Sequence, residues 1–274
     1  MRSVKSFIAA GAAIFLSSAA FAADMAIAPP PYAAPVVEDF GGWYLRGDIG
    51  FSNQRVKTKE WVSYSSLLSL EQDNGFDTAG IFGIGVGYRF NNWFRTDVIG
   101  QYRGKANFHS TDRFVFSDAG VPTPGVDTYT ASKSEWLVLA NGYVDLGTWW
   151  CVTPFIGAGV GFSQNTISHY VDTNTPTLGV ATAPSASKWN FAWALHTGLA
   201  YRVTPNFTVE MGYSYVNLGD ATTGVVSDFT GFANNNRMGF KDITSHDLKL
   251  GVRWMLEAPE QKQPMMLPPL MRRG

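Results

Sequence analysis

Eleven ionisable residues share a spacing that could do chemistry. Arg46 and Asp48, Arg95 and Asp97, and Asp247, Lys249 and Arg253 recur at alternate positions within otherwise apolar stretches, and Arg89, Asp145, Arg202 and Glu210 sit in stretches of the same kind. Six are cationic and five anionic, so the signs nearly balance. Side chains of one parity along an extended chain share a face. If that face is enclosed, little water remains to stabilise the charges and they must pair with one another. A structural plug of ion pairs is the reading these residues favour, with a proton or solute path as the alternative. The remaining candidates are thinner. His109 and His169 lack the clustered spacing of a metal site, so no metal is expected, although haem or metal capture by loop histidines stays open. His196 is expected to hydrogen-bond inside the fold. Ser163 with His169 is a conceivable nucleophile pair, but no motif supports it. Gly83, Gly85 and Gly87, and again Gly157, Gly159 and Gly161, repeat with a plain period of two and no following helix, which is not a dinucleotide cradle. No cofactor is expected. The single cysteine, Cys151, is expected as a free thiol in a short turn beside Trp150.

The elements that must position these groups read as β-strands. Over 189–215 two alternating runs flank Thr204-Pro205-Asn206. Trp189, Phe191, Trp193, Leu195, Leu199 and Tyr201 share one face, and Phe207, Val209, Met211, Tyr213 and Tyr215 share another. Sustained alternation with a central turn is an antiparallel hairpin. The opposite faces carry Gly, Ala, Arg and Glu, which cannot build an oily core. The apolar face is therefore expected to meet lipid, and each run has about the 9–11 residues of a tilted membrane-spanning strand. Six further runs repeat the pattern: Trp43–Phe51, Gly80–Phe90, Trp93–Arg103, Glu135–Leu146, Thr153–Ser163 and His246–Leu256. Glycines on their inward faces would make room in a narrow lumen for Arg46, Tyr143 and His196.

The connections alternate in length. Those at Asn91-Asn92, 147–152 and 204–206 are short; those spanning 52–79, 104–134, 164–188 and 216–245 are long and polar. Short turns on one side and long loops on the other is the habit of outer-membrane barrels. A soluble barrel of the lipocalin type would hold its apolar face inside and predicts no such asymmetry. The whole chain of 274 residues is 16% charged and 14% aromatic with net charge −1, which fits neither a disordered chain nor a basic nucleic-acid binder. After the N-terminus no window reaches the ~18 apolar residues of a membrane helix. Residues 1–22 read as a secretory signal, with Arg2 and Lys5, an apolar stretch from Phe7 to Leu16, and Ala20-Phe21-Ala22. Residues 23–41 form a Pro-rich leader, 42–256 the barrel, and 257–274 a Pro-rich periplasmic tail.

Several stretches carry a family resemblance: Trp43-Tyr-Leu-Arg-Gly-Asp-Ile-Gly-Phe, Ile84-Gly-Val-Gly-Tyr-Arg-Phe, Asn141-Gly-Tyr-Val-Asp-Leu-Gly, Pro154-Phe-Ile-Gly-Ala-Gly-Val-Gly and Leu248-Lys-Leu-Gly-Val-Arg-Trp. In order and spacing, over residues 41–256, the chain resembles the small eight-stranded outer-membrane β-barrels of Gram-negative bacteria. That group includes OmpA-type barrels, opacity-type surface antigens and porin-family immunogenic proteins. The resemblance implies an all-β, eight-stranded, antiparallel up-and-down transmembrane barrel. Barrels of this group often end at a terminal aromatic, whereas here a tail follows Trp254. The tail is too short for the peptidoglycan-binding domain that some relatives carry.

The expected function is therefore non-enzymatic: envelope integrity and surface interaction as antigen or adhesin, with the lumen plugged by the eleven charged groups. A narrow porin is the alternative and a barrel-borne hydrolase the third reading. Outer-membrane lipid is one expected partner, and an extracellular or host surface ligand is the other. Trp61, Tyr64, Phe114, Phe116, Tyr129, Tyr170, Phe229 and Phe232 fall in the long loops, where they suit either surface contact or simple hydrophilic covering. Long loops are expected outside the cell, with both termini in the periplasm. No nucleic acid is expected, and the residues point to no oligomeric state.

Overall fold

The computed structural model describes residues 41–60, 66–175, 178–231 and 236–256. The signal and tail segments and the leader up to residue 40 lie outside the described residues, as do Trp61, Tyr64 and Phe232. Among the described residues there is no helix. The strands are β1 (Gly42–Arg55), β2 (Thr58–Glu60), β3 (Leu67–Phe76), β4 (Ala79–Arg89), β5 (Phe94–Asp118), β6 (Val121–Asp145), β7 (Val152–Asn174), β8 (Gly179–Ala183), β9 (Ala186–Arg202), β10 (Phe207–Thr222), β11 (Ser227–Asp228) and β12 (Gly239–Met255).

Eight of them close a ring. β1 pairs with β4, β4 with β5, β5 with β6, β6 with β7, β7 with β9, β9 with β10, β10 with β12, and β12 returns to β1, every pair antiparallel. The fold is an eight-stranded antiparallel barrel, and the eight alternating runs are its staves. Three tight turns at 90–93, 146–151 and 203–206 mark one end. Closure leaves no edge within the ring, which is how a sheet satisfies its backbone in lipid.

The outer face between two aromatic girdles is apolar. Trp43, Phe90, Trp93, Tyr201 and Trp254 stand exposed toward the turn end, and Phe51, Tyr102, Trp136, Phe162 and Trp189 farther along. Between them Leu45, Ile49, Ile84, Val98, Leu195 and Leu250 point outward, with Ile84 78% exposed. The band runs from Trp136 on β6 to Leu146 just past its end, the length a tilted spanning strand needs, about 9–11 residues. Inside, glycines serve as space. A Cβ on Gly87 would collide with the ring of Tyr44, and one on Gly157 with the ring of Tyr143.

The long connections depart from expectation. The stretches 52–79, 104–134, 164–188 and 216–245, expected as polar loops, are largely strand. β5 and β6 run 25 residues each and stay paired to the Asp118–Val121 turn; β3 lies along β5, and β8 joins β7 and β11. The physical reason is a belt of bulges just beyond the far girdle. On β5 the inward position steps from Arg103 to Ala106, on β7 from Ile167 to Tyr170, on β10 from Leu218 to Ala221, and on β12 from Phe240 to Ile243. His169, Gly219 and Asp242 take positive φ there, at 53°, 70° and 51°. Each extra residue reverses the in–out parity of the strand beyond it. An apolar core begins in the lumen with Ile99, Leu137 and Leu139, includes Ile167 and Ile243 at the bulges, and continues past the belt in Phe108, Met238 and Phe240, while Asn107, His109 and Thr128 face out.

Candidate functional site: the lumen and the distal cluster

Two ion networks occupy the lumen inside the apolar band. The one nearer the turns centres on Arg46. Its Nε lies 3.0 Å from Asp48, its Nη1 3.0 Å from Asp97, and the same Nη1 donates to the Tyr143 hydroxyl at 2.7 Å. Arg95 meets Asp145 at 3.2 Å and Glu210 at 3.4 Å, and Arg253 meets Glu210 at 3.2 Å. The Arg95 guanidinium also lies over the ring of Tyr143, 4.1 Å from its centroid. Tyr44 donates to Asp97 at 3.2 Å, and the Asn141 amide donates to the other Asp97 oxygen at 2.8 Å. Because that amide nitrogen is committed, the Asn141 carbonyl oxygen accepts from His196 Nε2 at 3.1 Å. Nδ1 of His196 then accepts from the Ser214 hydroxyl at 2.8 Å.

The second network lies one layer up. Arg103 grips Asp247 with both Nη atoms, at 3.0 and 2.7 Å, and its Nε lies 3.1 Å from Glu135. Glu135 also pairs with Lys133, which donates to Gln54 at 2.9 Å. Ser52 and Ser245, 2.7 Å apart, close the layer beneath the Arg103 fork. A forked guanidinium against a carboxylate adds directional strength to the charge pairing.

Taken together, Arg46, Arg95, Arg103, Lys133, Lys249 and Arg253 face Asp48, Asp97, Glu135, Asp145, Glu210 and Asp247, six cations against six anions, all buried. A cavity among Arg46, Tyr143, His196, Glu210, Ser214 and Lys249 measures about 10 Å³, room for roughly one water. Of the eleven groups singled out from the sequence, eight sit in these networks and a ninth, Lys249, lines the small cavity beside them. Arg202 does not: it is exposed at the turn end, one residue before the strand reverses. Arg89 is half-buried there and donates to the Asn91 carbonyl at 3.1 Å. Sequence reasoning missed Arg103, Lys133 and Glu135, although Arg103 shares the parity of Arg95, and Lys133 and Glu135 that of Asp145. Ser163 and His169 do not meet. The Ser163 hydroxyl donates to the Leu218 carbonyl at 2.6 Å, whereas His169 is exposed beside Ser168.

The loop aromatics divide. Phe229 is 84% exposed. Phe114 and Phe116 are half-buried, their rings 6.1 Å apart. Tyr129 and Tyr170 are not surface residues: both are buried, stacked 6.3 Å apart inside the distal sheet. Around them lie Lys59, Asp112, Asp127 and Asp172, well beyond the girdle. Burial, then the charges of Asp127 and Asp112, push the Asp172 carboxyl up to about 7, and burial raises Asp127 as well. Cys151 is a free, exposed thiol in the Trp149–Val152 turn.

The profile of the outer membrane protein beta-barrel domain matches residues 8–255. The chain belongs to that family. An uncharacterized protein of Brucella abortus is 31% identical over 222 residues, spanning 74% of this chain and 78% of its own. The outer membrane protein PagN of Salmonella typhimurium is 29% identical over 184 residues, spanning 65% and 74%. A Rickettsia bellii protein titled "Putative adhesin" is 27% identical over 225 residues, spanning 77% and 87%. Family membership puts the protein in the outer membrane, its apolar band against lipid.

Proposed function

We propose that the protein is a non-enzymatic barrel with a plugged lumen, which contributes to envelope integrity and presents its distal sheet for surface contact. In this reading the bulged, extended strands face the outside of the cell, and the tight turns, with the Gly42 and Leu256 ends of the barrel, face the periplasm. What supports the proposal is a lumen crowded with paired side chains together with a sheet that continues well past the far aromatic girdle. A side-chain-filled lumen leaves no route for solutes, and a hydrolytic site would need a cleft larger than a one-water cavity. The distal sheet, by contrast, exposes Leu68, Val121, Leu178 and Phe229 beyond the far aromatic girdle. Exposed apolar groups rimmed by polar ones suit contact with another surface. Similarity to the Rickettsia putative adhesin and to the outer membrane protein PagN supports the same reading.

Expression in a non-adherent Gram-negative host tests it. Cells carrying the chain should bind epithelial monolayers or matrix-coated wells above the vector control. A double substitution, Leu178→Ser with Phe229→Ser, should lower that binding while leaving the amount of barrel in the membrane unchanged. Binding equal to the vector control would remove the surface-contact role. For orientation, a protease site inserted at Ala119-Gly120 should be cut on intact cells and one at Pro205 spared; the reverse pattern would invert the proposed topology.

A further inference from the structure

The distal sheet buries more negative charge than it neutralises. Asp112 and Asp127 are direct cross-strand partners on β5 and β6, and Asp172 on β7 is the partner of Tyr129, two residues from Asp127. Like charges set directly opposite destabilise a sheet. Among the described residues one ammonium serves this cluster: Lys59 of β2 hydrogen-bonds Ser110 and reaches Asp112 at 2.5 Å, 5.2 Å from the Tyr129 ring centroid. The Asp127 carboxylate accepts from the Asn174 amide at 2.6 Å and from the Tyr129 hydroxyl at 3.2 Å. Gln72 of β3 donates to Asp112 at 3.0 Å. The neighbouring β8 residues Ala181, Thr182 and Ala183 bring no titratable group, and beyond them Asp228 of β11 accepts from Thr230. Asp172 is left over. It is 9% exposed, and its Oδ1, like the hydroxyl of Tyr170, has no hydrogen-bond partner among the described residues. Among those residues no carboxylates converge on a point that could hold a metal ion.

A buried, unpaired carboxyl in a field of like charge resolves its cost by holding a proton. We infer that Asp172 is a proton-binding site that couples the packing of β5, β6 and β7 in the distal sheet to external pH, tight in acid and looser toward neutrality. The inference stands apart from any role in adhesion, since it concerns only how firmly the sheet beyond the membrane holds together. Linkage sets the direction. The folded sheet keeps the Asp172 proton up to about pH 7, whereas an opened segment releases it near the ordinary carboxylate value of about 4. Between those limits each opening releases a proton, so opening becomes roughly tenfold more frequent per pH unit and levels off above the folded value. Removing the charge removes the slope.

Amide hydrogen exchange on the full chain in micelles at pH 5.0 and 7.5, corrected for intrinsic rates, reads this directly. Segments 110–130 and 170–174 should lose protection by one to two orders of magnitude at the higher pH. Segment 95–103, in the lumen layers, should not change. Asp172→Asn should abolish the difference in the distal segments, and Asp112→Asn should reduce it. Equal protection at both pH values, or an undiminished slope in Asp172→Asn, would overturn the inference. Should the variant lose protection at 95–103 as well, carboxyl NMR of the wild type decides: a midpoint near 7 for Asp172 sustains the site, and one below 5 removes it.

Discussion

The two halves of the strands solve opposite burial problems with one continuous backbone. On β5, Val98 and Tyr102 face lipid while Arg95, Asp97, Gln101 and Arg103 point into the lumen. Past the bulge at Gly104-Lys105, Ala106 and Phe108 turn inward and Asn107 and His109 meet water. The same inversion occurs on β12, where Leu248 and Leu250 point out below Asp242 and Phe240 points in above it. Lipid supplies no hydrophobic drive for an apolar interior, so the membrane half can hold charges inside provided they pair. Water supplies that drive, so the distal half builds the core of a soluble protein. The comparison also separates two kinds of enclosed charge among the described residues: six against six in the lumen, and above it the buried Asp112 and Asp172 with the half-buried Asp127 against Lys59 alone.

The largest effect should come from unbalancing the lumen. Arg103→Ala leaves Asp247 without its cation and Glu135 with Lys133 alone, and should cost about 3–5 kcal/mol of unfolding free energy in detergent. Phe108→Ala should cost a similar ~3–5 kcal/mol through a cavity, but with the loss of protection confined to the distal sheet. If Arg103→Ala proves neutral, the lumen charges are not holding one another. The outer face gives a second contrast. Leu195→Arg, placed against lipid, should cost roughly 2–4 kcal/mol, whereas Thr128→Arg, outward in the distal sheet, should stay within about 0.5 kcal/mol. Equal costs, measured by urea unfolding in lipid vesicles, would erase the boundary drawn at the far girdle. Smaller still is the bulge itself. Gly219, at φ +70° with a Cβ position 2.5 Å from the Cβ of Asn190, should lose about 1–3 kcal/mol on substitution by alanine, through backbone strain and the displacement of Asn190. A stabilising Gly219→Ala would mean that the bulge is not locked.

The barrel was legible because eight runs keep strict alternation between two aromatic limits, and a period of two needs no long-range information. The distal strands were not, for a reason visible at His169. A residue in the left-handed region there inserts one step, so Ile167 and Tyr170 face the same way and the alternation breaks where the strand continues. Beyond it the outward face turns polar, and Asn, Ser and Thr imitate a loop. Inward charges were legible by parity within a run, as Arg46 and Glu210 were. Lys133 lay just before a run taken to begin at Glu135, and Arg202 lay at a strand end where inward parity no longer means burial. That Tyr129 and Tyr170 stack inside could not be read from the sequence, because it depends on a register set by the bulges.

The central claim is that paired side chains fill the lumen, and conductance tests it most directly. Purified chain inserted into planar bilayers should give little or no steady current, because an eight-stranded barrel is just wide enough for side chains to fill. Large, stable, ion-selective steps from the unmodified chain would contradict the plug and make the narrow channel the better reading.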